Sequence, residues 1–149
     1  MPNRPGILLI LRHAEKPGDP STDVESDGIH LSTQGRVRAA ALSIYIPANF
    51  PKPDLLFASK QSRHSNRSVE TITPLAKVLG LEIDATHTEM DYAKLAETVL
   101  SDGRYANKTV IVCWHHTHIP DMATAFGIVR PPNWPGRIFD RIWMIDYKE

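Results

Sequence analysis

An arginine and a histidine directly follow the first apolar run of the sequence. Residues Ile7 to Leu11 are apolar without alternation, which indicates a buried strand, and Arg12 and His13 come next. Arginine presents a rigid fork of donors that matches phosphate. A neutral imidazole can attack phosphorus, because histidine titrates near physiological pH. The pair therefore predicts phosphoryl transfer through a phosphohistidine at the end of a strand.

Two later strands are also followed by basic side chains. The second predicted strand, Asp54 to Ala58, is followed by Arg63 in a polar loop and by Arg67 at the start of the next helix. The strand Thr109 to Trp114 ends on His115 and His116. The carboxyl ends of parallel strands lie at one edge of a sheet, so we expect these groups to converge. One histidine would attack the phosphoryl group, and the cations would neutralise its oxygens.

The elements between these strands have the periodicity of helices. Ser32 is expected to cap a helix that runs to about Ile46 and is closed by Pro47 and Pro51. Its predicted inward face consists of Val37, Ala40, Ala41 and Ile44.

A second helix is predicted to follow Asn66 and to end at Gly80, with a kink or restart at Pro74. A third helix is predicted over residues 91–101, and a last strand begins at Ile138 or Arg141. Alternating strands and helices predict a three-layer α/β/α sandwich with a mostly parallel central sheet.

Length and composition are those of an ordinary globular protein. The chain has 149 residues, and we expect residues 1–149 to form a single domain. Its formal net charge of zero argues against binding to nucleic acid or an anionic membrane. The one cysteine, Cys113, lies in an apolar run and is predicted to be buried and structural. Without an evident secretory signal or a membrane-length apolar stretch, a cytoplasmic location is expected.

Four short segments in order resemble the histidine phosphatase superfamily, the phosphoglycerate mutase-like branch 1 group. They are Arg12-His13-Ala14-Glu15, Leu31-Ser32-Thr33-Gln34-Gly35, Arg67-Ser68-Val69-Glu70-Thr71 and Val110-Ile111-Val112-Cys113-Trp114-His115. The resemblance extends over most of the chain and is nearest to the small, minimal phosphatases of the superfamily. It implies a phosphoglycerate mutase-like fold and a phosphatase.

The resemblance also implies roles for individual residues. His13 would be the nucleophile that becomes phosphorylated, and Arg12 and Arg67 would hold the phosphate. His115 would donate a further hydrogen bond to the transferring group. Glu89 stands about where the family has its proton donor, with Asp91 as the rival.

Two departures from the family pattern leave alternatives open. The loop before Arg67 is longer than usual, so Arg63 or His64 could also enter the site. The residue after the second histidine is His116, and a one-residue slip would make it the catalytic member instead of His115. We count His116 among the candidate phosphate-binding residues.

No metal or other cofactor is predicted. His115, His116 and His118 are close in sequence, but adjacent strand residues point to opposite faces and no cysteine pair completes a zinc site. Four acidic residues in the loop after the first strand lack the spacing of a calcium-binding loop; they are Asp19, Asp23, Glu25 and Asp27.

The function that we predict is a metal-independent phosphatase. It would hydrolyse a phosphomonoester or phosphohistidine on a phosphorylated small molecule or a phosphoprotein. A phosphomutase is the alternative among enzymes, and a non-catalytic module that binds a phosphorylated ligand is the alternative among binding proteins. The oligomeric state is left open.

Overall fold

The computed structural model describes residues 4–17 and 29–147. Five strands and four helices alternate along these ranges: β1 Ile7–Arg12, α1 Thr33–Asn49, β2 Leu55–Ala58, α2 Arg67–Leu79, β3 Ile83–Asp84, α3 Tyr92–Ser101, β4 Thr109–Trp114, α4 Ile119–Ala125 and β5 Ile142–Asp146. No helix in the described ranges is long and apolar enough to cross a membrane.

The strands form one sheet in the order β3-β2-β4-β1-β5. The first four strands are parallel, and β5 runs antiparallel along β1. In the register of the two central strands, Arg12 pairs with Trp114. The residues that follow β1 and β4 therefore leave the sheet side by side. The predicted α/β class with a mostly parallel central sheet is confirmed.

Helices cover both faces of the sheet. Leu8 and Ile10 of β1 point into a core that includes buried residues of α3 and α4. Leu9 and Leu11 point the opposite way, into a second core with buried residues of α1 and α2. Because successive strand residues face opposite sides, an unbroken apolar strand serves both cores. This is the three-layer sandwich that the sequence predicts.

The prediction of which α1 residues face the core is wrong. Val37 is 66% exposed and Ile44 is 74% exposed, and Ala40 and Ala41 are also exposed. The helix instead buries Gly35, Ala39 and Ile46. Apolar residues occur all around α1, so their periodicity does not define one face. Contacts of Gly35 and Arg38 with the segment after β1 set the rotation of the helix, as described below.

Pro47 does not close α1 as predicted, and Pro74 does not cause a restart of α2. Helix α1 continues through Pro47 to Asn49, and the Phe50 N–H donates to the Ile46 carbonyl at 3.0 Å. Helix α2 continues through Pro74 as one element without a restart. A proline removes the bond of its own N–H and crowds the carbonyl four residues before it, while the N–H groups of the following residues can still donate. In α2, Ile72 lies two residues before Pro74 and Leu75 directly after it; both are fully buried, and their packing stabilises the helix.

Several local predictions are confirmed. The Ser32 hydroxyl accepts from the Gly35 N–H at the start of α1, and Gly80 ends α2 with a φ of 67°. Cys113 is fully buried, and burial raises the pKa of its thiol. The prediction about Asp19, Asp23, Glu25 and Asp27 falls outside the described residues.

Candidate active site

The site begins where the two central strands end. The His13 N–H donates to the Trp114 carbonyl at 3.0 Å, which extends the pairing of β1 and β4 by one residue. His13 and His115 are thereby neighbours, and their ring centroids lie 5.2 Å apart in an edge-to-face arrangement. Only 3% of His13 is exposed. The two histidines that the sequence predicts are brought together.

A hydrogen bond defines the tautomer of His13. Its Nδ1 lies 2.7 Å from the Ala14 carbonyl oxygen. A carbonyl can only accept, so Nδ1 carries the proton and the lone pair is on Nε2. Burial lowers the pKa of His13 from 6.5 to about 3, and the nearby cationic side chains act in the same direction. At neutral pH His13 is therefore a neutral imidazole with a basic Nε2.

Arg12 is held rigidly beside His13. Its Nη1 donates to the carbonyls of Gly136 and Ile138, at 2.6 and 3.1 Å, and its guanidinium carbon lies 3.8 Å from the centroid of the Phe139 ring. Its Nε is buried and has no hydrogen-bond acceptor among the described residues. Burial, and then the charge of Arg67, lowers the pKa of Arg12 to about 10. Arg12 is thus a fixed cation with an unsatisfied donor, which suits an oxyanion.

Arg67 enters the site from α2, of which it is the first residue. Its charge lowers the pKa of Arg12, His13 and His115, so it lies near all three. The amino terminus of α2 adds its own positive potential at this point. Arg63, in the preceding loop, is exposed.

Thr71 connects Arg67 to the segment that carries His13. Its hydroxyl accepts from the Ala14 N–H at 2.8 Å and donates to the Arg67 carbonyl at 2.7 Å. The side chain is fully buried. One hydroxyl thus fixes the spacing between the first turn of α2 and the residue after His13.

Glu89 faces His115, whereas Asp91 is engaged elsewhere. The Glu89 Oε2 lies 3.3 Å from the His115 Nε2. The Trp114 indole N–H donates to the Glu89 carbonyl at 3.0 Å and anchors its backbone. Asp91 is exposed and accepts from the Thr88 hydroxyl at 3.0 Å. Burial lowers the pKa of His115, and the Glu89 carboxylate opposes that shift.

His116 lies on the Arg12 side of the site. Burial, and then the charges of Arg12 and Lys16, lowers the pKa of its imidazole. A Cβ placed on Gly136 would come within 3.3 Å of the His116 Nε2, so the ring packs closely under that glycine. His116 is close to the arginine but does not take the place of His115 beside His13.

Glu15 holds the start of α1 against the segment that follows β1. Its carboxylate accepts two hydrogen bonds from Arg38, at 2.9 and 2.8 Å. Its carbonyl accepts from the Ser32 N–H at 2.9 Å, and a Cβ on Gly35 would collide with that same carbonyl oxygen. The second motif of the sequence therefore packs against Glu15, the last residue of the first motif.

Residues that the sequence did not single out also build the site. Phe139 stacks on Arg12, and the carbonyls of Gly136 and Ile138 orient its guanidinium. No local pattern marks these three residues. Thr71, by contrast, is the last residue of the third motif, and it lies four residues after Arg67 and therefore on the same helix face.

No group of three or more His, Cys, Asp or Glu side chains within residues 4–17 and 29–147 is arranged to hold a metal ion. The chemistry that the arrangement supports is that of a nucleophile surrounded by cations. A lone pair is available on His13, positive charge on Arg12 and Arg67, and a carboxylate and an imidazole lie in contact at Glu89 and His115.

By sequence, no family model and no curated protein matches the chain. Its fold is similar to that of several solved structures. The protein histidine phosphatase SixA, complexed with tungstate, has a TM-score of 0.59 at 14% identity, with 86% of this chain and 82% of SixA covered. A mycobacterial glucosyl-3-phosphoglycerate phosphatase complexed with VO3 has a TM-score of 0.58 at 16% identity, with coverages of 80% and 79%. The phosphoserine phosphatase of Entamoeba histolytica has a TM-score of 0.55 at 15% identity, with coverages of 80% and 78%. The chain therefore has the fold of the histidine phosphatases.

Proposed function

We propose that the protein is a metal-independent phosphatase that forms a phosphohistidine on His13. The observation that carries this proposal is the state of His13. Its Nδ1 is committed to the Ala14 carbonyl, its Nε2 carries the lone pair, and Arg12 lies beside it with an unsatisfied Nε. A buried neutral nucleophile among fixed cations suits attack on an anionic phosphoryl group.

In the first step the His13 Nε2 attacks phosphorus, and the bond between phosphorus and the ester oxygen breaks. Arg12 and Arg67 balance the charge on the three phosphoryl oxygens. The leaving oxygen takes a proton from Glu89, whose carboxyl group is close enough to His115 for the pair to share a proton. The products are phosphohistidine 13 and the free alcohol. When the substrate is a phosphohistidine, its phosphorus–nitrogen bond breaks instead, and the nitrogen takes the proton and leaves as free histidine.

In the second step water attacks the phosphorus of phosphohistidine 13. The nitrogen–phosphorus bond breaks, its electron pair returns to the His13 Nε2, and inorganic phosphate leaves. Glu89, now a carboxylate, accepts the proton of the attacking water. The same residue thus acts as acid and then as base, as microscopic reversibility requires.

The structural neighbours support this proposal. All three described above are named phosphatases, and two of them hold tungstate or VO3, which are oxyanions like phosphate. The substrate that we propose is a phosphorylated small molecule or a phosphoprotein. A cytoplasmic location stays a prediction from the sequence.

The test is hydrolysis of p-nitrophenyl phosphate by the purified chain. We expect turnover that orthovanadate inhibits and a chelator does not. His13→Ala should abolish turnover, whereas the control His64→Ala, at an exposed loop position, should retain it. Rapid quenching at alkaline pH should trap an acid-labile phosphoryl group on His13. Normal turnover by His13→Ala would contradict the proposal.

The same experiment separates the alternatives. Binding of orthovanadate or phosphate without hydrolysis of any ester in a substrate panel would indicate a binding module. Transfer of the phosphoryl group back to a second position of the substrate, with little release of phosphate, would indicate a phosphomutase.

A further inference from the structure

A cavity lies next to the candidate active site, between α1 and the segment that enters β5. Its volume is about 460 Å³, which is in the range of small-molecule sites. Leu42, Tyr45, Phe50 and Ile142 form apolar parts of its wall. Nothing in the proposed phosphatase mechanism uses this space.

The two sites share one side chain. Phe139 lines the cavity and also stacks on Arg12, and its ring centroid lies 6.3 Å from that of His13. Arg38 lines the cavity as well, but both its carboxylate contacts are to Glu15. The wall between cavity and active site is therefore made by Phe139 and by the Arg38–Glu15 ion pair.

The charge at the cavity indicates what it would bind. Three charged residues line it, and two of them, Arg38 and Asp140, are close enough for Asp140 to raise the pKa of Arg38. The third, Arg141, is exposed and makes no ion pair or hydrogen bond with any residue in the described ranges 4–17 and 29–147. Arg38 is paired with Glu15, so Arg141 is the cavity-lining cation that has no ion-pair partner in the described ranges. It lies beside an apolar wall that includes three aromatic rings, those of Tyr45, Phe50 and Phe139.

We propose that this cavity is a binding site for a small aromatic molecule with one anionic group. The rings would pack against Tyr45 and Phe50, and the anionic group would face Arg141. The site is separate from the phosphate pocket, and it does not depend on the proposed phosphatase activity.

The probe for the test is 8-anilinonaphthalene-1-sulfonate, an aromatic sulfonate whose fluorescence rises on binding. We expect saturable binding at one site of the folded protein. Ala41→Trp should weaken this binding at least about tenfold, because Ala41 lines the cavity and an indole there would fill part of it. The matched control is Ala40→Trp, since Ala40 is exposed on the same helix but does not line the cavity. Tyr45→Ala, which removes part of the aromatic wall, should also weaken binding.

A second comparison tests the charge. Arg141→Gln should weaken binding of the sulfonate about fivefold, as expected for one exposed ionic contact. It should leave binding of the uncharged analogue N-phenyl-1-naphthylamine unchanged. Near-ultraviolet circular dichroism would check that each variant is folded.

Three results would overturn the proposal. They are the absence of saturable probe binding to the folded protein, equal losses in Ala40→Trp and Ala41→Trp, and displacement of the probe by orthovanadate, which would place it in the phosphate pocket. We expect His13→Ala to lose phosphatase activity and to keep probe binding, which would show that the cavity binds the probe independently of the phosphatase reaction.

Discussion

The His13 and His115 rings meet edge to face, with their centroids 5.2 Å apart. This contact follows from the register of β1 and β4, in which Arg12 is aligned with Trp114. His13 directly follows Arg12, and His115 directly follows Trp114. We expect His115→Ala to lower kcat by about 10²–10³-fold, the usual loss when one donor to the developing charge is removed. The measurement is steady-state hydrolysis of p-nitrophenyl phosphate.

His116→Ala is the comparison for His115→Ala. Its ring packs near Arg12 and Gly136, so we expect a rise in KM and a smaller effect on kcat. A larger loss of kcat in His116→Ala than in His115→Ala would assign the catalytic role to His116, the alternative that the sequence left open.

Glu89 is expected to matter most when the leaving group needs a proton. Glu89→Gln should lower kcat by about 10²-fold for an alkyl phosphate, because general acid catalysis is lost. The loss should be smaller for p-nitrophenyl phosphate, whose leaving group departs as a stable anion. The control is Asp91→Asn, since Asp91 is exposed and bonded to Thr88. The two variants would exchange their effects if Asp91 were the proton donor.

Thr71 is expected to stabilise both the fold and the site. Thr71→Val should lower the free energy of unfolding by about 1–3 kcal/mol, because the buried Ala14 N–H loses its acceptor. Activity should fall as well, since the hydroxyl also holds the Arg67 carbonyl. Urea unfolding and kcat/KM are the measurements.

Two variants control this experiment. Thr71→Ser keeps the hydroxyl and should retain most of the stability and activity. Thr73→Val removes a hydroxyl that donates to the Val69 carbonyl at an exposed position of the same helix, and it should have little effect. A large loss in Thr73→Val would mean that helix propensity and not the Ala14 contact is being measured.

Gly35→Ala should destabilise the protein although it lies in a helix. Alanine gains roughly 1 kcal/mol over glycine in a helix. The added Cβ would, however, collide with the Glu15 carbonyl oxygen, and overpacking of this kind costs about 1–3 kcal/mol. Thermal unfolding should show a lower Tm for Gly35→Ala and no such decrease for the neighbouring exposed Gln34→Ala. A higher Tm for Gly35→Ala would contradict the close approach of α1 to Glu15.

The buried neutral state of His13 predicts an acid-sensitive fold. Burial lowers the pKa of His13 from 6.5 to about 3, so below pH 6.5 the unfolded chain binds a proton that the folded chain does not. Stability must therefore fall as the pH drops from 6.5 towards 3. At pH 5 this effect of His13 lowers the free energy of unfolding by about 2 kcal/mol. Between pH 7 and pH 5, the free energy of unfolding measured in urea should fall less for His13→Asn than for the unsubstituted protein, and the difference should be about 2 kcal/mol. Titration of the His13 ring by NMR, with a midpoint near 6.5, would contradict this.

Local sequence patterns were sufficient to predict most of the framework. An unbroken apolar run such as Thr109–Trp114 cannot face water on either side, so it predicts a strand covered on both faces. Single residues such as Ser32 and Gly80 mark helix ends through their own hydrogen bonds or backbone conformation. The strand ends then bring His13 and His115 to one sheet edge by topology alone.

The remaining features depend on residues far apart in the sequence. The orientation of α1 was mispredicted because its apolar residues surround the helix, and the contacts of Glu15 with Gly35 and Arg38 decide which side is buried. Glu89 and Asp91 are two residues apart and chemically alike, and only the position of His115 distinguishes them. Phe139 has no local signal, because its role is a contact with Arg12 across the chain.

The sequence by itself determined the elements, the order of the strands along the chain and the types of the reactive groups, since these follow from local periodicity and side-chain chemistry. The tertiary structure decided which nitrogen of His13 carries the proton, which carboxylate faces the histidine pair and which side of α1 is buried. Each of these depends on the position of an atom from another element, within a few ångströms, and no local pattern encodes such a distance.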